Sequence, residues 1–175
     1  MKSFATIAMI SLAMLQTSVL ALSAIPTGSP DGIYLSNLDT NGTETWEIVT
    51  AITLDKRDKS TSLSPMSRIE LSKRQTKINC QNIEINSFDR EVAAQNLIDY
   101  CGNGNWFGSQ AIAVQYGGVV AYGCNYSNGQ TCHSWDVRYF LESLYHGCGG
   151  NRAAWWRQVE WSATYGYTAV GRGFC

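Results

Sequence analysis

A chain of 175 residues has room for one domain with accessory segments, and not for two full domains unless both are small. The net charge is −1, and from residue 75 onward six Lys or Arg stand against seven Asp or Glu. That balance leaves no basic stripe to displace counterions from nucleic acid or to hold an anionic bilayer, so a partner must be recognised by shape, aromatic contact and local charge.

Residues 1–23 open with Lys2, continue through the apolar runs Phe4 to Leu15 and Val19 to Leu22, and reach a small-residue site at Ala21-Leu22-Ser23. This is the order of a secretory signal peptide, too short and too early for a membrane span. A secreted, extracellular protein that is not embedded in a membrane is expected. All six cysteines lie downstream, between Cys80 and Cys175. An oxidising compartment makes three disulfides the default for them. Their intervals, and the separation of His133 from His146, do not match zinc-ligand spacing, so neither a metal nor a cofactor is implied.

Residues 24–74 carry no cysteine. Within them Asp31 to Thr50 reads as a hairpin around Thr40-Asn41-Gly42, which alone is marginal and must fold against something to persist. Asn41-Gly42-Thr43 is an N-glycosylation sequon. The stretch 55–77 is charged, Ser-rich and without an apolar period, as a linker is. It contains the dibasic pairs Lys56-Arg57 and Lys73-Arg74, the kind of site that processing proteases cut. The expected organisation is therefore a signal peptide (1–23), a pro-segment ending at Lys73-Arg74 (24–74) and a mature domain (75–175).

That domain begins with a short strand from Thr76 to Gln81, or on to Ile85. A helix follows, with Asn86 or Ser87 as N-cap and Asp89 and Glu91 in its positively polarised first turn. Ala94, Leu97, Ile98 and Cys101 share its apolar face, and Gly102 stops it. Ala111 to Tyr116 and Val119 to Asn125 form a hairpin, because Gly117-Gly118 supplies the positive-φ positions of a tight turn. After the loop NYSNGQT, Val137, Phe140, Leu141 and Leu144 define a second amphipathic helix that Ser134 caps, with Cys148 at its end. The run Trp155 to Cys175 alternates, Val159, Trp161, Ala163 and Tyr165 against Gln158, Glu160, Ser162 and Thr164, as a half-exposed antiparallel strand does. The expected fold is α+β, a two-layer sandwich with two helices on one face of an antiparallel sheet and three disulfides. Sequence cannot choose among the connectivities; the pairing adopted joins Cys80 to Cys148, Cys101 to Cys175 and Cys124 to Cys132.

Ile78-Asn79-Cys80, Cys101 to Asn105 (CGNGN), Gly123-Cys124, Thr131-Cys132, His146-Gly147-Cys148 and a final strand ending in Cys175 together resemble the fungal killer-toxin-four family over residues 75–175. The Cys124 to Cys132 segment and the Phe-Cys end look like small secreted proteins of filamentous fungi. The resemblance implies an α/β sandwich and a growth-inhibiting or host-directed toxin or effector. The chain departs from those toxins in having fewer cysteines and an uncharged Asn105 to Gln110 where they carry a Lys- and Arg-rich segment. Blockade of a channel by a basic side chain there is not available.

An enzyme would need a free Cys or an activated Ser beside a His, and His133 and His146 bracket the second helix, too far apart to share a site. A carboxylate pair such as Glu142 with Glu160 is no more than two acids among seven. A binding protein is the better-supported class. Of five indoles in the domain, Trp135 and Trp161 are expected in the core. Trp106 beside Phe107, and Trp155-Trp156 flanked by Arg152 and Arg157, are the candidate contact residues; at most one of that tryptophan pair can face the core on a strand. The expected function is a killer-toxin-like or effector-like protein, monomeric, that binds an unknown protein or glycan on another cell. A cell-wall glycan-binding protein and a small hydrolase are the alternatives. Asn125-Tyr126-Ser127 is a second sequon, which would hold its loop in water.

Overall fold

A computed structural model describes residues 23–52, 76–108 and 110–175. The strands are β1 (Gly32–Leu38), β2 (Glu44–Ala51), β3 (Thr76–Glu84), β4 (Asn105–Phe107), β5 (Ala111–Tyr116), β6 (Val119–Asn125), β7 (Gln130–Cys132), β8 (Arg152–Gln158) and β9 (Ala163–Ala169), with helices α1 (Ser87–Cys101) and α2 (Ser134–Cys148). Seven strands make one sheet in the order β2-β1-β5-β6-β9-β8-β3, every neighbour antiparallel, and β4 pairs with β7 in a separate ribbon. Residues 1–22 of the expected signal peptide (1–23) and both dibasic pairs lie outside the described residues.

The central hairpin closes with Tyr116 opposite Val119; of its two turn glycines only Gly117 takes a positive φ, 53°, where both were expected to. Two carboxylates brace this turn: Asp31 Oδ1 accepts from the Gly117 amide at 2.9 Å and Asp89 Oδ2 from the Gly118 amide at 2.9 Å. Asn86 caps α1, its side-chain oxygen accepting from the amides of Phe88 and Asp89. His133, not Ser134, occupies the N-cap of α2, with no side-chain capping bond; Ser134 is the first helical residue.

Strand alternation sorts the apolar residues into two clusters. Ile112, Val114 and Tyr116 of β5 join Leu97 and Ile98 of α1 and Val137, Phe140, Leu141 and Leu144 of α2 in the larger one. The intervening Ala111 and Ala113, with Val120, Tyr122 and Cys124 of β6, fall in the second, which Ile25, Tyr34 and Phe174 complete. Phe174 stacks on Tyr122 at 4.6 Å between ring centroids and meets Trp46 of β2 edge-on at 5.7 Å. The sheet is thus larger than the cysteine-bearing residues alone would make it. Strands β1 and β2 extend it through β5, and residues from the cysteine-free segment cover part of its second face.

The terminal run departs from the expected single strand. Residues 152–169 form the hairpin β8–β9, which turns at residues 159–162, where Ser162 takes φ 48°. Gln158 and Thr164, expected on the strand's exposed side, are buried as Ala163 and Tyr165 are.

Cys80 bridges Cys148, but the other two pairs are Cys101–Cys132 and Cys124–Cys175. The expected Cys101–Cys175 and Cys124–Cys132 bridges fail for one reason. Cys101 and Cys132 lie in the helix-side cluster, whereas Cys124 and Cys175 lie against the other, so each expected bridge would have to pass through the sheet. The observed Cα separations of 5.2 and 5.6 Å suit a disulfide.

Candidate functional site

The residues named as contacts from sequence do not converge. On β4 the pleat sends Trp106 outward, 64 % exposed, and Phe107 inward, 2 % exposed, so Phe107 is core and not a contact residue. Trp155 and Trp156 are both covered, contrary to the expectation that at most one could be. Trp156 packs with the helix-side cluster and Trp155 against the second, because both faces of the sheet carry apolar cover. Arg152 and Arg157 lie at the two ends of β8, about 16 Å apart at the strand rise. Arg152 is exposed opposite Glu84. Arg157 places its guanidinium 5.0 Å from the centroid of Tyr126.

Other exposed aromatic residues lie around the β4–β7 ribbon, in the loop before it and at the start of α2. The Trp106 indole lies against backbone at Gly108 and Gly129, where a Cβ on either glycine would collide with it. The Gly129 contact places it beside the loop that carries Tyr126, an exposed ring whose hydroxyl donates to the Cys175 carbonyl at 3.2 Å. On the ribbon's other flank, Gly104 abuts the His133 ring, and His133 Nδ1 donates to the Asn103 carbonyl at 3.0 Å. Trp135 sits next to His133, ring centroids 6.0 Å apart, and is 58 % exposed. Trp135 was expected in the core. It precedes Val137 by two residues and so falls off the buried stripe of α2, a position that helical spacing could have revealed. Trp161 packs edge-on against Phe140 at 5.9 Å.

Beneath this tip lies Asp136, which sequence reasoning passed over because an acid in a first turn reads as a surface residue. It is buried, and its carboxyl is pushed up to about 6 by desolvation, which the nearby His133 partly opposes. The Tyr165 hydroxyl, raised mainly by burial, is held higher still by the Asp136 charge. The Cys101–Cys132 bridge ties the end of α1 to β7, so the ribbon bearing Trp106 is fixed to both helices. Glu142 turns toward Arg138 one helical turn away, at 4.0 Å. Among the described residues no group of three or more His, Cys, Asp or Glu could hold a metal ion, no cysteine is free, and no helix is long and apolar enough to cross a membrane.

The two sequons differ. Asn41 is exposed in the β1–β2 turn, which Asp39 organises by accepting from the Asn41 and Thr43 amides. Asn125 is buried, its Oδ1 accepting from the amide and hydroxyl of Ser127.

No protein-family model, characterised protein or solved structure matches this chain.

Proposed function

We propose that the protein is a secreted toxin-like or effector-like binding protein that engages a target on another cell through the aromatic tip formed by Trp106, Tyr126, His133 and Trp135. One observation carries this reading: two indoles stand more than half exposed on elements that a buried disulfide holds in place. Large aromatic rings kept out of the core on a fixed scaffold supply contact area with little entropy left to lose on binding. Arg157 beside Tyr126 adds a cation at the margin. The shared cluster supports a two-layer arrangement with both helices on one face.

A glycan target is the second reading, favoured by the Trp106 indole, which rests on glycine backbone and leaves its remaining surface open as a stacking platform. The test applies refolded full-length protein to growing fungal cells and, separately, to insoluble chitin and β-glucan. Growth arrest without retention on either polymer supports a protein target, and retention supports the glycan. Neither effect on either material overturns the proposal.

A further inference from the structure

We propose that residues 24–52 are a docked subunit and not a discarded leader: when the chain is cut between β2 and β3, this piece stays bound to the cysteine-bearing part as a separate chain. The inference rests on how the piece is seated and is independent of the aromatic tip.

Strand β1 pairs with β5 from Gly32 opposite Gln115 to Ser36 opposite Ala111. Removing it would turn a central strand into an open edge with unpaired backbone groups. Side chains reinforce the ladder at both ends. Gln115 Nε2 donates to the Ser29 carbonyl at 2.6 Å, the Gly117 amide to Asp31 Oδ1 at 2.9 Å, and the Ala111 amide to the Ser36 hydroxyl at 2.9 Å. Ile25 shares a buried cluster with Phe174, so the piece also meets the far terminus of the chain.

Its apolar residues finish a cluster that the cysteine-bearing part cannot close alone. Ile25 and Tyr34 are buried against Ala113, Val120, Tyr122 and Phe174. Without them these side chains would form a contiguous apolar patch in water, of a kind soluble monomers rarely expose.

The covalent links run elsewhere. All three disulfides join cysteines between Cys80 and Cys175, so none crosses to residues 24–52. The stretch between β2 and β3 holds Lys56-Arg57 and Lys73-Arg74. Hydrolysis of one peptide bond there, with one water added across it, leaves a new carboxylate and a new amine and no covalent connection between the two parts. Only strand pairing and the shared cluster then keep them together.

The experiment replaces Lys73-Arg74 in the full chain with the recognition sequence of a specific protease, cuts the folded protein, and compares size-exclusion chromatography under native conditions with a denaturing gel run without reductant. Co-elution at the size of the uncut protein, with two bands on the non-reducing gel, is the expected result. Elution of the smaller piece by itself under native conditions would overturn the proposal. Tyr34→Ala in the same cut protein should speed loss of the piece at least tenfold, and Trp106→Ala should not; an unchanged rate for Tyr34→Ala would also overturn it.

Discussion

Trp155 and Gly166 face each other across β8 and β9, and the absence of a side chain at Gly166 is what lets Tyr122 lie between the sheet and Phe174. A Cβ at Gly166 would stand 2.5 Å from the Ala154 carbonyl oxygen and 2.7 Å from the Tyr122 hydroxyl. The backbone oxygen cannot move aside without breaking the sheet.

Gly166→Ala should therefore destabilise the protein by about 1–3 kcal/mol through overpacking. Gly147→Ala, in the last turn of α2 where the nearest atom is an Ile78 carbon at 3.8 Å, should be neutral or stabilising by up to about 0.5 kcal/mol. Urea unfolding of the two variants checks the opposite signs.

Asp136 makes stability depend on pH. Its folded carboxyl titrates near 6, above its ordinary value of 3.8, so the native state holds the proton more tightly than the unfolded chain does. The stability this contributes is complete below about pH 4 and is lost as pH rises through 6. Asp136→Asn should be more stable than wild type at pH 7.5, by on the order of 1–3 kcal/mol, and should match it at pH 3.5. Thermal melts at the two pH values check this; an equal difference at both would place the cost elsewhere than in the carboxylate.

The bridge at the tip should matter for order as well as stability. The Cys101→Ser, Cys132→Ser double variant should lose about 2–4 kcal/mol, and its β4–β7 ribbon should exchange amide hydrogens faster while β5 and β6 keep their protection. Peptide mapping under non-reducing conditions should recover Cys101 linked to Cys132 and Cys124 linked to Cys175.

Material secreted by a glycosylating host should carry sugar at Asn41 and none at Asn125, because Asn41 is exposed and Asn125 is buried. Mass analysis of the two tryptic peptides, before and after deglycosylation, checks both positions.

Local signals were legible where one residue type answers one local need. Gly117-Gly118 marks the central hairpin, Asn86 the start of α1, and the spacing of Val137, Phe140, Leu141 and Leu144 the buried face of α2. What stayed hidden was long-range. The turn at residues 159–162 contains no Gly, Pro, Asn or Asp, so two strands looked like one. The second apolar face exists only because residues 23–52 and Phe174 come to cover it, and no local pattern in Trp155-Trp156 announces cover on both sides. The disulfide pairing follows from which face each cysteine occupies, a property of the assembled sheet. The tip was half visible: Trp106 stood out beside its glycines, whereas Trp135 and Tyr126 join it only through the ribbon that β4 and β7 form.

The central claim is that the aromatic tip is the contact surface, and target binding by single-site variants tests it most directly. Trp106→Ala and Trp135→Ala should each weaken binding of labelled protein to responsive cells or to the retaining polymer at least tenfold, about 1.4 kcal/mol. Phe88→Ala, which removes an equally exposed ring at the start of α1, should leave binding unchanged. Full binding by the Trp106→Ala, Trp135→Ala double variant, with its near-ultraviolet circular dichroism showing an intact core, would contradict the account.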